Sequence, residues 1–186
     1  MSPLNLDHGR KLVAALCLVA LLLLVLMLST DDRVAKPMAI NGDSLGQVSG
    51  ETPEQYRQRA AMTLESATGP AFALVTFEQP VAPELAATEL EPLARVSAIT
   101  LDGSTPVELP EPTGTEGRRE VFDRAIAQAD RRMDGLAPQH IDAAVVYDSG
   151  ANLRAVAQRG GVFAVEVLPT DAAWGRFGVR PVTVSR

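Results

Sequence analysis

The chain contains few cysteine, histidine and aromatic residues, and this scarcity argues against several kinds of functional site. Among 186 residues there is one cysteine, Cys17, so no intramolecular disulfide can form. Only one histidine, His140, follows the first 30 residues, which argues against a zinc site with Cys and His ligands. Basic residues are outnumbered 17 to 23 by acidic ones, for a net charge of −6. We therefore expect no nucleic-acid partner, no metal and no cofactor.

The most distinctive feature that is present is an uninterrupted apolar run from Leu12 to Leu28. Nine of its seventeen residues are leucine and none is charged, which favours insertion into a bilayer. As a helix the run spans about 26 Å, close to the thickness of a hydrocarbon core. The sequence thus predicts a tail of residues 1–11 and a membrane-spanning helix over residues 12–29. Its anchoring leucines include Leu12, Leu16, Leu21, Leu24 and Leu28.

A cleaved signal peptide is the alternative interpretation of this run, because Arg10 and Lys11 form a charged segment before it. A cleavage site is missing, since the candidate Ala35 has Arg33 two positions before it. We therefore expect a retained, single-pass anchor in the plasma membrane. The charged pair next to the helix predicts a cytoplasmic N-terminus and an outer C-terminal domain, although Arg33 and Lys36 nearly balance it.

Residues 30–69 are predicted to be a stalk that carries one short helix. The first half of this segment is polar and rich in small residues, without helical or strand periodicity. A helix start then follows, with Thr52 as N-cap, Pro53 at the first helical position and Gln55 completing a capping box. We expect this helix to end near Ser66 and to pack at an edge or against another protein.

Residues 70–186 are predicted to form an outer α/β domain. Two β-α-β units are expected, at 71–77, 83–92 and 96–101, and at 141–147, 152–158 and 162–168. Their continuously apolar strands are typical of a sheet covered by helices. Between the units, an amphipathic helix over about 116–134 has one apolar stripe: Val121, Phe122, Ala125, Ile126, Ala129 and Met133. We therefore expect a two-layer α/β sandwich of two β-α-β halves, loosely ferredoxin-like, with its sheet order undetermined.

One tetrapeptide, Gly42-Asp43-Ser44-Leu45, suggests an enzyme. It resembles the motif of the GDSL hydrolases, a resemblance that implies Ser44 as a nucleophile. In that family the motif follows a buried strand and an Asp-x-x-His supplies the base, whereas here His140 stands in Gln139-His140-Ile141-Asp142. A serine needs a positioned base to attack. A turn is therefore the favoured interpretation, and we expect no catalytic residue.

The C-terminal tail contains the best local candidate for a contact site. Trp174, Arg176 and Phe177 lie together in a glycine-rich stretch, although only 4% of the chain is aromatic. Aromatic and arginine side chains are enriched in protein interfaces. The open alternative is a tail folded over the domain's own core.

The overall layout resembles the prokaryotic respiratory supercomplex association factor of actinobacteria. The resemblance lies in the small size of the chain, the single helix at Leu12–Leu28 and an acidic domain that opens with the strand 71–77. It implies a non-catalytic accessory subunit, with cytochrome bcc and aa3 oxidase subunits and the lipid bilayer as partners. Two other functions remain open: a membrane-anchored envelope-binding or regulatory module, and an anchored serine hydrolase that uses Ser44.

Overall fold

A computed structural model describes residues 4–30 and 42–184, with the side chains of 9–11, 13–23 and 42–184. The chain divides into two compact units, Met1–Ala39 and Ile40–Arg186. The first unit contains helix α1, Leu4–Thr30. Its described leucines are well exposed, for example Leu16 at 61% and Leu21 at 59%. Among the residues described, no helix is both long enough and apolar enough to cross a membrane. The predicted anchor positions Leu12, Leu24 and Leu28 lie outside the described side chains.

The second unit is a mixed α/β domain, as the sequence predicts. Its helices and strands follow in this order: β1 Ser44–Leu45, α2 Pro53–Ser66, β2 Ala71–Val81, α3 Pro83–Glu89, β3 Arg95–Thr100, β4 Val107–Glu108, α4 Arg118–Arg132, β5 Ile141–Asp148, α5 Gly150–Ala157, β6 Val162–Val167 and β7 Gly178–Val179. Each strand and helix of the two expected β-α-β units is present. Strand β2 extends four residues beyond the predicted end at Phe77, with irregular pairing after Thr76.

Five strands form one antiparallel sheet in the order β4-β3-β5-β2-β6. The two β-α-β units are interleaved, because β5 lies between β3 and β2, while β2 lies between β5 and β6. Residue Leu74 of β2 therefore pairs with Val145 on one side and with Glu166 on the other. Interleaving places the central strands β2 and β5 at the middle of the domain, where they are buried on both faces.

One face of the sheet packs against α3, α4 and α5. The apolar stripe of α4 supplies Val121, Phe122, Ala125 and Ile126 to this core, as its 3.6-residue period predicts. The helix ends at Arg132, so Met133 leaves the stripe and is 49% exposed. Side chains at alternate positions of the strands, such as Val75, Ile99 and Val146, complete the core.

The opposite face of the sheet, here called the outer face, is covered by segments from both ends of the domain. The structure differs here from the predicted stalk, because residues 44–66 belong to the same compact unit as the sheet. Leu45 of β1 and Tyr56 of α2 are completely buried. Helix α2 itself has the predicted bounds and the predicted Thr52–Gln55 capping box. The compact unit therefore begins earlier than the sequence pattern indicates, because residues 44–55 contain only two apolar side chains, Leu45 and Val48.

Candidate functional site

The aromatic residues of the tail join two strand residues in a cluster on the outer face. This aromatic surface consists of Phe72, Tyr147, Trp174 and Phe177. The Phe72 ring lies at the centre, 4.8 Å from Tyr147, 5.7 Å from Trp174 and 5.2 Å from Phe177 between ring centroids. The two tail rings meet edge to face at 5.9 Å. These tilted geometries and distances are those that aromatic pairs prefer.

Backbone contacts position the tail on the sheet. The Leu168 amide donates to the Phe72 carbonyl, at 2.9 Å, where the chain leaves β6. A turn follows, in which Gly175 adopts a φ of +79°, a conformation that favours glycine. Strand β7 then pairs in parallel with β1. The aromatic surface is therefore held between the end of β6 and the β1–β7 pair.

The aromatic surface is half-buried and remains accessible. Trp174 and Phe177 pack on Leu74 and Val145 of the sheet, as the folded-tail interpretation requires, yet both keep some exposure. Tyr147 is 38% exposed. The Arg176 Nε atom is buried and has no hydrogen-bond partner among the described residues. The structure thus brings Trp174 and Phe177 together on the outer face and adds Phe72 and Tyr147, which sequence reasoning did not assign to a site.

A second feature of the outer face is a buried carboxylate. Glu166 of β6 is 3% exposed. One of its oxygens, Oε2, accepts a hydrogen bond of 2.6 Å from the Gly46 amide, and the other accepts from the Arg59 guanidinium of α2. A single carboxylate in an otherwise apolar strand is the signal that could have found this site, because a buried charge requires partners.

Arg59 joins Glu166 to the loop between β1 and α2. Its Nε and Nη2 atoms each donate to one carboxylate oxygen of Glu51, both at 2.9 Å, in a bidentate pair. Nη2 also donates to the Gly46 carbonyl at 3.0 Å. The guanidinium carbon lies 5.3 Å from the centre of the Tyr56 ring, within cation–π range. We call Arg59, Glu51 and Glu166 together the latch.

The two carboxylates of the latch have opposite pKa shifts. Burial raises the pKa of Glu166 above its ordinary 4.5, and the Gly46 amide and Arg59 offset this only in part. Glu51 is less enclosed, and its hydrogen bonds with Arg59 lower its pKa. Burial, reinforced by the charge of Glu166, raises the pKa of the Tyr56 hydroxyl. As the pH falls, Glu166 is therefore the first of these two carboxylates to take up a proton.

The proposed hydrolase residues are not brought together. Ser44 lies in β1, where its backbone pairs with Gly178. His140 precedes β5 and borders an open groove of about 1010 Å³, whose lining does not include Ser44. Within the part of the chain that the structure describes, no hydrogen bond connects the Ser44 hydroxyl to a histidine or a carboxylate.

The groove beside His140 is an open concavity on the surface of the domain. Its walls contain Phe163, with the guanidinium carbon of Arg57 5.6 Å from the ring centre, and the acidic side chains of Glu54, Glu78 and Asp102. Its volume matches that of pockets for small ligands. Over the described residues, no cluster of three or more His, Cys, Asp or Glu side chains is arranged to hold a metal ion.

Comparisons with known proteins assign no relative, because the chain matches no protein-family model, no curated protein and no solved structure.

Proposed function

We propose that this protein is a membrane-anchored, non-catalytic accessory subunit of a larger membrane protein complex. The observation that carries the proposal is the aromatic surface on the outer face of the sheet. In the same proposal, the domain is a ferredoxin-like α/β sandwich that presents this surface, with helix α1 as the anchor.

The aromatic surface has the composition of an interaction site. It gathers the only tryptophan of the chain, one of its two tyrosines and two of its five phenylalanines. Binding energy in protein interfaces is concentrated in a few Trp, Tyr and Arg side chains at well-packed positions. Trp174 and Phe177 are already held in place by the sheet, so a partner would order few additional side chains, which favours affinity.

The anchor part of the proposal is supported by α1. This helix has 27 residues, about 40 Å in length, and carries the apolar run from Leu12 to Leu28. Its exposed leucines require an apolar environment, since exposed apolar surface of this extent marks contact with a membrane or a protein. The orientation that we propose has the N-terminus in the cytoplasm and the α/β domain outside the plasma membrane.

The complex that we propose to test first is the cytochrome bcc–aa3 respiratory supercomplex. Support for this choice comes from the similarity in layout alone: a single N-terminal apolar helix followed by an acidic domain. The tagged full-length protein is purified in mild detergent, and co-purifying subunits are identified by mass spectrometry and by haem absorbance. Stoichiometric recovery of cytochrome subunits is expected, and a protein that elutes alone would contradict the proposal.

The same pull-down tests the aromatic surface. The Trp174→Ala change removes a ring from the cluster, and hot-spot losses of about 2 kcal/mol or more predict at least about tenfold weaker recovery of partners. The matched control is Met62→Ala, because Met62 is a 63% exposed apolar side chain on α2, away from the cluster. Equal losses for both variants would remove the aromatic surface from the proposal.

The groove beside His140 favours one second candidate, an anchored module that binds the cell envelope. Phe163 offers an apolar wall, and the acidic side chains around it have no ion-pair partner among the described residues. Cosedimentation with isolated cell-wall material distinguishes the two functions. Binding that is lost on Phe163→Ala but retained on Trp174→Ala would place this module first.

A further inference from the structure

Residues 43–51 cross the outer face of the sheet as a strap. Leu45 is its one completely buried side chain and packs on Leu74 and Val145 of the sheet, next to Trp174 and Phe177 of the tail. Toward the tail, the strap makes two backbone hydrogen bonds: Gly178 N–H donates to the Asp43 carbonyl at 3.0 Å, and Arg180 N–H donates to the Leu45 carbonyl at 2.8 Å.

The close fit of the strap depends on Gly46. Its φ of +97° lies in the left-handed region, and a Cβ at this position would come within 2.1 Å of the Arg180 carbonyl oxygen. The Gly46 amide and carbonyl are the groups that reach Glu166 and Arg59. At Gly46 the strap is therefore in tight contact with the tail and is also hydrogen-bonded to two residues of the latch, Glu166 and Arg59.

Most of the attachment of the strap comes from polar contacts. Besides Leu45, its contacts are the short pairing with β7, the hydrogen bonds to Arg59 and Glu166, and a hydrogen bond of 2.9 Å from the Thr183 amide to the Gln47 side-chain oxygen. Segments with few buried apolar contacts open locally at lower free energy than the core. The central sheet has long ladders and a large apolar core, so its opening is expected to cost more free energy than that of the strap.

We propose that the strap opens and closes as one unit, that Arg59 fastens it between Glu51 and Glu166, and that proton binding by Glu166 controls the opening. Opening frees Leu45 and β7 and so loosens the support of Trp174 and Phe177. The regulation of partner binding by this movement rests on the proposed function, whereas the movement itself is a property of the isolated protein.

The ionisable groups that face Glu166 determine the direction of the effect. They are Arg59 and Tyr56 from α2, with Glu51 on the far side of Arg59; the Gly46 amide and Thr76 are uncharged. In the closed state, burial raises the pKa of Glu166 above 4.5. A carboxyl group whose pKa is raised in the closed state stabilises that state fully at pH values below its ordinary pKa of 4.5. This stabilisation is lost as the pH rises through the pKa that the group has in the closed state. Opening is therefore favoured as the pH rises.

Glu51 does not obscure this effect above its ordinary pKa. Its pKa is lowered from 4.5 in the closed state, so its stabilising contribution is present above that value and is lost only as the pH falls further. Arg59 and Tyr56 have pKa values raised well beyond the neutral range. As the pH rises above 4.5, Glu166 is thus the carboxylate of the latch that loses its proton.

Amide hydrogen exchange of the full-length protein in detergent micelles tests the proposal. The amides of Gly46, Gly178, Arg180 and Thr183 report on the strap, and that of Val145 reports on the sheet. After correction for the intrinsic effect of pH, the strap amides are expected to exchange at one common opening constant. That constant should increase as the pH is raised above 4.5, by up to about tenfold per pH unit within the titration of Glu166. Val145 should stay protected throughout.

Two variants complete the experiment. Glu166→Gln keeps an acceptor for the Gly46 amide without a titrating charge, so the pH dependence of strap exchange should disappear. The matched control is Glu65→Gln, on an exposed position of α2, which should behave as the unaltered protein. The proposal is overturned if strap and Val145 amides exchange together, if strap exchange in the unaltered protein is insensitive to pH, or if Glu166→Gln retains the pH response. The first two outcomes are measured on the unaltered protein, so they do not depend on the folding of a variant. None of the three outcomes requires a binding partner.

Discussion

Replacing Arg59 by methionine is expected to weaken the domain mainly by isolating the charge of Glu166. Methionine retains much of the aliphatic length of arginine but removes four hydrogen bonds: two to Glu51, one to Gly46 and one to Glu166. Glu166, at 3% exposure, then keeps only the Gly46 amide as a partner. A buried carboxylate without its counterion is one of the costliest defects that a single substitution can produce.

The expected loss can be worked from the exposure of the pair. Removing one partner of a buried ion pair costs about 3–5 kcal/mol. The Arg59 side chain is 31% exposed, so water can enter the space that it leaves, and the lower value, about 3 kcal/mol, is appropriate. Glu166→Gln alone should change the free energy of unfolding by no more than about 1 kcal/mol, because a neutral amide can still accept from Gly46. In a protein that already carries Glu166→Gln, Arg59→Met should cost only about 1 kcal/mol.

A double-mutant cycle measures this difference directly. Urea unfolding of the four proteins is followed by the fluorescence of Trp174, the single tryptophan, and by circular dichroism. The four free energies of unfolding should give a coupling free energy of about 2 kcal/mol between positions 59 and 166. Additive effects, within about 0.5 kcal/mol, would refute the reasoning, since they would mean that Glu166 does not depend on Arg59. The cycle with Glu65→Gln in place of Glu166→Gln should be additive and serves as the control.

Three further changes probe other parts of the molecule. Phe122→Ala, at a completely buried position of α4, should lower the free energy of unfolding by about 3–5 kcal/mol in urea, and a loss below about 1 kcal/mol would contradict the packing described. Gly46→Ala should raise the exchange rate of the Gly178 and Arg180 amides at least about tenfold, because its Cβ cannot fit beside the Arg180 carbonyl; unchanged rates would disprove the tight contact. Leu21→Arg should disfavour membrane insertion by about 3 kcal/mol, so that alkaline carbonate extracts more of the protein from membranes; unchanged extraction would count against the anchor.

Local periodicity was sufficient to predict the β-α-β units and the stripe of α4. In α4, the positions Val121, Phe122, Ala125 and Ile126 recur with the helical period, and all four are buried. In β5, the residues from Ala143 to Val146 are apolar at successive positions because both faces of this central strand are covered. Tyr147 escaped attention because a single polar aromatic at the end of an apolar strand has no local pattern of its own.

The strap and the latch could not be predicted from local patterns, because they depend on contacts between residues far apart in the chain. Arg59 and Glu166 are 107 positions apart, and Gly46 and Glu166 are 120 apart. Taken alone, Arg59 reads as one of several polar residues on a weakly amphipathic helix, and Gly46 as part of a flexible stalk. Only the carboxylate in β6 carries a signal, since a charge in a buried strand implies a counterion. That reasoning predicts that some arginine or lysine contacts Glu166, and the interleaved sheet, which makes β6 the edge strand against which α2 packs, determines that it is Arg59.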